Sequence, residues 1–255
     1  MVRQKEGRSG IYLLPNLLTT ASLFAAFYSI VASLKAQYDL AVIAIFIGMV
    51  ADGLDGRIAR MTNTESAFGA EYDSLSDMVT FGVAPALLLY SWTLNQFGKL
   101  GWLVSFVYTA SVALRLARFN TQVETADKRF FQGLNCTFAA AFVASFVGFC
   151  QQHDWPHEWD SVLSAIIAVL SAILMVSNIR YYSFKDLDFK EKIPFLYALL
   201  MVIFFVAVAV NPTLMILIGS TVYALSGPLQ TLFALSRMRK QRKKMNITKQ
   251  KKIKK

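Results

Sequence analysis

Four aspartates within 26 residues, Asp52, Asp55, Asp73 and Asp77, are the side chains whose type and spacing point most directly to chemistry. Asp52 and Asp55 stand three apart and Asp73 and Asp77 four apart, so on a helix of 3.6 residues per turn each pair shares one face. The link between the pairs, Asn63-Thr64-Glu65-Ser66, is short and polar. It makes the two helices antiparallel neighbours and lets all four acids converge. Four carboxylates at one point cannot all stay ionised without cations, because like charges oppose one another's ionisation. A bound divalent metal resolves that conflict. Oxygen-only ligands suit a hard cation such as Mg²⁺ or Mn²⁺ and argue against structural zinc, which prefers Cys and His. Mg²⁺ is typically held by a few carboxylates together with substrate phosphates, so a phosphate-bearing substrate is implied. Gly56, Ala59 and Gly69 offer small surfaces where a ligand or another helix can approach, and Arg60 carries a planar donor fork suited to phosphate. Any one of these aspartates could be a solvated helix end. Four at paired helical spacing beside small residues are poorly explained that way.

The elements that must position these acids read as membrane helices. The 255-residue chain is 55% hydrophobic and 16% charged, with a mean hydropathy of +0.45, too apolar for a soluble domain. A bilayer's hydrocarbon core takes about 20 mostly apolar residues per helix. Eight such runs occur, over Leu13–Leu34, Leu40–Arg60, Asp73–Leu94, Gly101–Leu116, Gly133–Gln151, Val162–Ser177, Ile193–Val210 and Thr213–Leu235. Only Asn211-Pro212 separates the last two, and it is read as a turn because about 40 residues is twice a membrane thickness. The expected fold is therefore all-α, a polytopic transmembrane bundle of about eight helices. An even number of crossings puts both termini on one side. That side carries 24 of the 26 basic residues, with only Lys35 and Lys99 opposite, so both termini and the acid cluster are expected at the cytoplasm. The net charge of +10 is then mostly a topology signal and implies no nucleic-acid partner.

Residues 1–235 read as one membrane domain without internal repeats, and 236–255 as a basic cytoplasmic tail, disordered and drawn to anionic lipid. Each basic residue near such a surface contributes about 1 kcal/mol. The first apolar run continues past signal-peptide length without a clear processing site, so the first helix is expected to stay. Cys136 and Cys150 share the fifth run, where a helix holds them about 21 Å apart, too far to pair with each other. His153 and His157 stand four apart, but Pro156 between them makes a continuous helix, and hence a metal site, a poor expectation.

The spacing Asp52-x-x-Asp55-Gly56-x-x-Ala59-Arg60, eight residues, Gly69-x-x-x-Asp73-x-x-x-Asp77 resembles the signature of the CDP-alcohol phosphotransferases at every defined position. The resemblance implies a helical fold in the bacterial cytoplasmic membrane, usually a homodimer, with a site for two Mg²⁺ or Mn²⁺ ions open to the cytoplasm. It assigns Asp52, Asp55 and Asp73 to metal binding, and Asp77 to metal binding plus general-base work. Gly56, Ala59, Arg60 and Gly69 would contact or make room for the CDP part, with Asn16 and Thr19 beside them. Such a site can neutralise a pyrophosphate and the departing CMP while Asp77 takes the proton of the attacking hydroxyl.

Three further stretches resemble the bacterial members of this family whose acceptor is L-serine and whose donor is CDP-diacylglycerol. They are Pro15-Asn16-Leu17-Leu18-Thr19-Thr20, Ser76-Asp77-Met78-Val79-Thr80-Phe81-Gly82-Val83-Ala84-Pro85-Ala86, and Leu114-Arg115-Leu116-Ala117-Arg118-Phe119-Asn120. Serine carries a carboxylate, and Arg115 or Arg118, with Asn120 beside them, can grip it. Both arginines could equally anchor the helix at the membrane surface or neutralise the acids. One departure bears on the acceptor: those members commonly read Gly-Leu-Pro-x-Pro where this chain reads Gly133-Leu134-Asn135-Cys136-Thr137. Glycerol phosphate, inositol phosphate or choline remain alternative acceptors. An ion-coupled transporter would place its acids near mid-membrane with an inverted repeat or broken helix pair, and a prenyltransferase would separate its acids widely along the chain. Neither pattern is visible.

Overall fold

The computed structural model describes residues 13–122, 130–153, 159–182 and 206–231. The described chain is helical throughout, apart from one small two-stranded ladder. In order it forms α1 (Leu13–Leu34), α2 (Tyr38–Thr62), α3 (Ala67–Asp77), a π-helical turn (Met78–Val83), α4 (Ala84–Trp92), a 3₁₀ turn (Leu94–Phe97) and α5 (Lys99–Gln122). Then follow β1 (Phe130–Gln132), α6 (Cys136–Gln152), α7 (Asp160–Val176), β2 (Arg180–Tyr182) and, after a helical stretch at 206–210, α8 (Pro212–Thr231). The tail beyond 231, residues 193–205 of the seventh apolar run and His157 lie outside the described residues.

Among the described residues, four helical stretches are long and apolar enough to cross a membrane: Leu14–Leu34, Ala67–Trp92, Lys99–Thr121 and Pro212–Thr231. Cys136–Gln152 and Asp160–Val176 are apolar but shorter. Helix α2 has the length, but Asp52, Asp55, Arg57 and Arg60 crowd its last turns. Many large apolar side chains stay uncovered, among them Leu17, Phe24 and Phe27 on α1, and Trp102 and Phe106 on α5. Such faces suit contact with lipid, where a helix satisfies its own backbone polar groups.

Two of the expected boundaries move. The third helix begins at Ala67, six residues before Asp73, because Ser66 caps it by accepting a hydrogen bond from Gly69 N at 3.0 Å. Asp73 and Asp77 thus sit well inside a helix rather than at its start. The fifth begins at Cys136 rather than Gly133, because Asn135 is its N-cap and accepts from Thr137 N at 3.4 Å. Downstream, the chain leaves helical geometry for the one residue Asn211, whose side chain accepts from Leu214 N at 3.0 Å and caps α8 ahead of Pro212. Cys136 and Cys150 are free and buried, as their spacing predicts.

Helices α1 and α2 make the most extensive packing in the molecule, through small residues that let their backbones approach. Ala26 and Ala32 of α1, and Ala41, Ala44 and Ile45 of α2, are buried. Hydroxyls reach across directly to main chain: Ser22 Oγ donates to Gly48 O at 3.0 Å and Ser29 Oγ to Ala41 O at 2.9 Å. The antiparallel pairing brings the start of α1 beside the end of α2. Asn63 then takes the left-handed conformation (φ 52°), and its N–H and that of Thr64 return to Arg60 O and Ala59 O. This closed turn sends the chain back as α3.

The ladder was not foreseen from hydropathy. Strands β1 and β2 pair antiparallel, Phe131 opposite Tyr181, and so join the segments that enter α6 and leave α7. Gly133 follows at φ 77°, with its N–H on Ile179 O at 2.8 Å. A Cβ there would lie 2.3 Å from Met175 O. Gly133→Ala is therefore expected to lower stability by about 2–4 kcal/mol, from backbone conformation and overlap together. Thermal unfolding in lipid nanodiscs measures this, and an unchanged Tm would contradict it.

Candidate functional site

The acid cluster forms where the end of α2 meets the middle of α3. One carboxylate oxygen from each of Asp52, Asp55 and Asp73 lies within 4.8 Å of the other two. Asp77, one turn beyond Asp73, places its carboxyl within hydrogen-bonding reach of Asp52. All four predicted acids therefore converge. Asp55 is buried, and the other three are half-buried.

The donor set fits a hard divalent cation on two grounds. It consists of carboxylate oxygens alone, and Asp73 Oδ1 is buried with no hydrogen-bond partner among the described residues. A buried, unpartnered carboxylate oxygen is costly unless something positive completes it. Asp55 is oriented from the side: Thr19 Oγ1 donates to its Oδ2 at 2.6 Å and also lies 3.1 Å from Pro15 O. Ser76 Oγ donates to Thr19 O at 3.2 Å, so α1, α2 and α3 are tied at one point.

A cavity of about 330 Å³ opens beside the cluster. Its lining includes Asp55 and Asp73 together with Asn16, Thr19, Gly56, Ala59, Arg60 and Gly69, the residues expected to receive the CDP part. Sequence spacing alone could not show that Asn16 and Thr19, on a different helix, would join the other four. The small residues keep it open: a Cβ on Gly69 would lie 3.1 Å from Ser66 Oγ and 3.5 Å from Asn16 Oδ1. Pro15, Thr64, Glu65, Ser66 and Ala70 complete the lining and are not among the site residues expected from the sequence. Ser66 alone had a legible signal, as a cap residue before a helix.

The three residues considered for an acceptor part company. Arg118 is engaged at the end of α7: Nη2 donates to Val176 O at 3.0 Å, and Nη1 lies 3.4 Å from both Ser177 O and Asn178 Oδ1. It ties helices together at orphan carbonyls. Asn120 Nδ2 donates to Ser74 Oγ at 3.1 Å and so braces the helix bearing Asp73. Arg115 is different. It is 7% exposed, its Nη1 donates to Cys136 Sγ at 3.3 Å, and its buried Nε has no partner among the described residues. His153 is exposed, stacks on Phe149 and places Nδ1 3.1 Å from Phe149 O.

Comparison with known proteins agrees with this geometry. The family profile "CDP-alcohol phosphatidyltransferase" matches residues 12–177, the stretch that contains the cluster and the cavity. The chain belongs to the CDP-alcohol phosphatidyltransferase family. It is 36% identical over 225 residues to a protein of Helicobacter pylori (strain ATCC 700392 / 26695) named CDP-diacylglycerol--serine O-phosphatidyltransferase, covering 88% of this chain and 93% of that one. A Methanocaldococcus jannaschii protein of the same name is 35% identical over 164 residues, 64% of this chain and 74% of its own. An archaetidylserine synthase of Methanothermobacter thermautotrophicus is 34% identical over 185 residues, 71% of this chain and 74% of its own.

Thr19→Val keeps the shape of α1 and removes the 2.6 Å bond to Asp55. Loss of a group that orients a metal ligand typically weakens metal affinity by about 10- to 100-fold. A Mn²⁺ titration of the purified variant, followed by electron paramagnetic resonance, is expected to shift by that amount. An unshifted titration would leave Thr19 without this role.

Proposed function

We propose that this chain is a CDP-diacylglycerol–serine O-phosphatidyltransferase, and that the transfer takes place at the four aspartates. The observation that carries the reading is the triad of Asp52, Asp55 and Asp73, with its unpartnered buried oxygen on Asp73, opening onto a cavity lined by the small and polar residues of the family signature. The names of the relatives supply the donor and acceptor.

In the proposed reaction, Asn16, Arg60 and the room left by Gly56 and Gly69 receive the cytidine and pyrophosphate of CDP-diacylglycerol. Asp52, Asp55, Asp73 and Asp77 would hold two divalent ions, Mg²⁺ or Mn²⁺, and such ions would supply charge that neutralises the pyrophosphate and the departing CMP. The serine hydroxyl oxygen forms a bond to the phosphorus of the phosphatidyl group, and the bond from that phosphorus to the CMP oxygen breaks. Asp77 accepts the hydroxyl proton as the new bond forms. The electron pair of the broken bond leaves with CMP, and phosphatidylserine remains.

Of the two arginines, Arg115 is the one proposed to meet the serine carboxylate. Arg118 already uses its nitrogens at the end of α7, whereas Arg115 keeps a buried nitrogen without a partner among the described residues. An unpaired buried donor is costly, and a substrate carboxylate would complete it. The proposal extends to topology: eight crossings, both termini and the acid cluster at the cytoplasmic side of the bacterial inner membrane, a homodimer, and a basic tail held near anionic lipid. The distribution of Lys and Arg supports the orientation.

The test is to supply purified protein with CDP-diacylglycerol and a panel of alcohols, and to follow CMP release. CMP release is expected with serine, only when Mg²⁺ or Mn²⁺ is present, and lost in EDTA. Full turnover without metal, or a preference for glycerol phosphate, inositol phosphate or choline, would sink the respective part of the reading. Asp77→Asn is expected to lower kcat by about 10²- to 10⁴-fold with CDP-diacylglycerol binding kept. Asp52→Asn is expected to weaken metal and nucleotide binding together. Arg115→Ala should raise the serine KM about tenfold or more and leave the CDP-diacylglycerol KM nearly unchanged. Arg118→Ala should instead lower thermal stability without that split, and an equal rise of both KM values in Arg115→Ala would count against the carboxylate contact.

A further inference from the structure

The helix that carries Asp73 and Asp77 does not run on regularly past the second acid. Directly after Asp77 the chain makes the π-helical turn Met78–Val83, closed by a bond from Ala84 N to Val79 O, five residues back. Such turns are rare and are found mostly where a helix serves a site. This one has a local cause. Pro85, the second residue of α4, has no N–H, so Phe81 O, four residues earlier, cannot receive the regular helical bond.

Helix α5 supplies what Pro85 withholds. Tyr108 is fully buried, and its hydroxyl donates to Phe81 O at 3.1 Å. Its neighbour Thr109 places Oγ1 3.5 Å from Gly82 O, and Val112, one turn on, packs so closely that a Cβ on Gly82 would lie 3.3 Å from Val112 Cγ1. Thr109 Oγ1 donates to Ser105 O at 3.0 Å within α5, so of these two hydroxyls Tyr108 is the one committed to the turn. The register of the turn matters to the acids, because one residue of helix corresponds to a rotation of about 100°. Collapse of the turn to regular helix would shift the faces of Asp77 and of the buried Leu88 and Leu89 relative to each other.

We propose that Tyr108 is a positioning residue for the transfer reaction: its hydroxyl holds open the π-helical turn that directs Asp77 towards Asp52 and the acceptor. This rests on the reading of Asp77 as the base. Tyr108 touches neither substrate nor the reacting atoms in this proposal and acts only through the turn.

The experiment is Tyr108→Phe in lipid nanodiscs, alone and combined with Asp77→Asn, with initial rates of CMP release measured across serine and CDP-diacylglycerol concentrations. Small misplacements of a catalytic group cost up to about a hundredfold in rate, so Tyr108→Phe is expected to lower kcat about tenfold or more, with both KM values within about twofold. In the Asp77→Asn background it should cause no further loss, because there is no base left to misdirect. A Tyr108→Phe enzyme at wild-type kcat overturns the proposal, and so do losses that multiply in the double variant, which mark a purely structural hydroxyl. Should Tyr108→Phe fail to fold, Pro85→Ala takes its place. It returns a backbone donor to the turn and favours regular helix, so kcat should fall with the same KM pattern, and unchanged kcat overturns the proposal. Failure of the base assignment is told apart because Asp77→Asn alone then turns over serine at the wild-type rate.

Discussion

Holding four carboxylates at one point beside hydrocarbon is the constraint from which the rest of the structure follows. Each acid sits on a helix, so its backbone is satisfied internally, and the side chains alone must be paired from outside. The close packing of α1 on α2 through alanines and serines serves this end. It delivers Thr19 to Asp55, and it sets Asn16 at the wall of the cavity. The capped return at Asn63 and Ser66 then presents Asp73 to the same point from the opposite direction. Among the described residues the arrangement leaves a buried oxygen of Asp73 unpartnered, and on the proposed reading a cation completes it.

The entry to α6 departs from the pattern that the resemblance implies, with Asn135 and Thr137 in place of prolines around Cys136. Asn135 replaces the stiffness of proline with a side-chain cap on an N–H that proline would not have. The helix starts at Cys136, and Gly133 turns with positive φ against the end of α7. The thiol of Cys136, at this helix start, accepts from Arg115.

Much of the bundle was legible because the code for it is simple: apolar length gives helices, and the spacing of three and four gives shared faces. Asp52, Asp55, Asp73 and Asp77 followed from that geometry, and Gly56, Ala59, Arg60 and Gly69 from the motif around them. What stayed hidden depends on contacts between distant helices. Nothing local in α1 says that Thr19 will bond Asp55, 36 residues away, and nothing in α5 separates Arg115 from Arg118, which differ only in what lies opposite each. The β1–β2 ladder escaped because three-residue strands leave no periodicity to read. Pro85 was the one visible sign of an irregular helix after Asp77, but it lies inside the apolar run Asp73–Leu94, which hydropathy alone carries through as one helix.

The arrangement of the acids also bears on the direction of attack. Asp55 and Asp73 line the open cavity assigned to the nucleotide, whereas Asp52 and Asp77 do not. Arg115 lies instead against Cys136, at the start of α6. One side of the cluster therefore faces a space large enough for a leaving group, and Asp52 and Asp77 lie away from it. Displacement at phosphorus runs in line, with the incoming and departing oxygens on opposite sides. On the proposed reading, CMP departs into the cavity while serine approaches from the opposite side. Asp77, on that second side, is then the acid placed to take the proton of the incoming hydroxyl, and Asp55 and Asp73 are the ones left to face the phosphate that leaves.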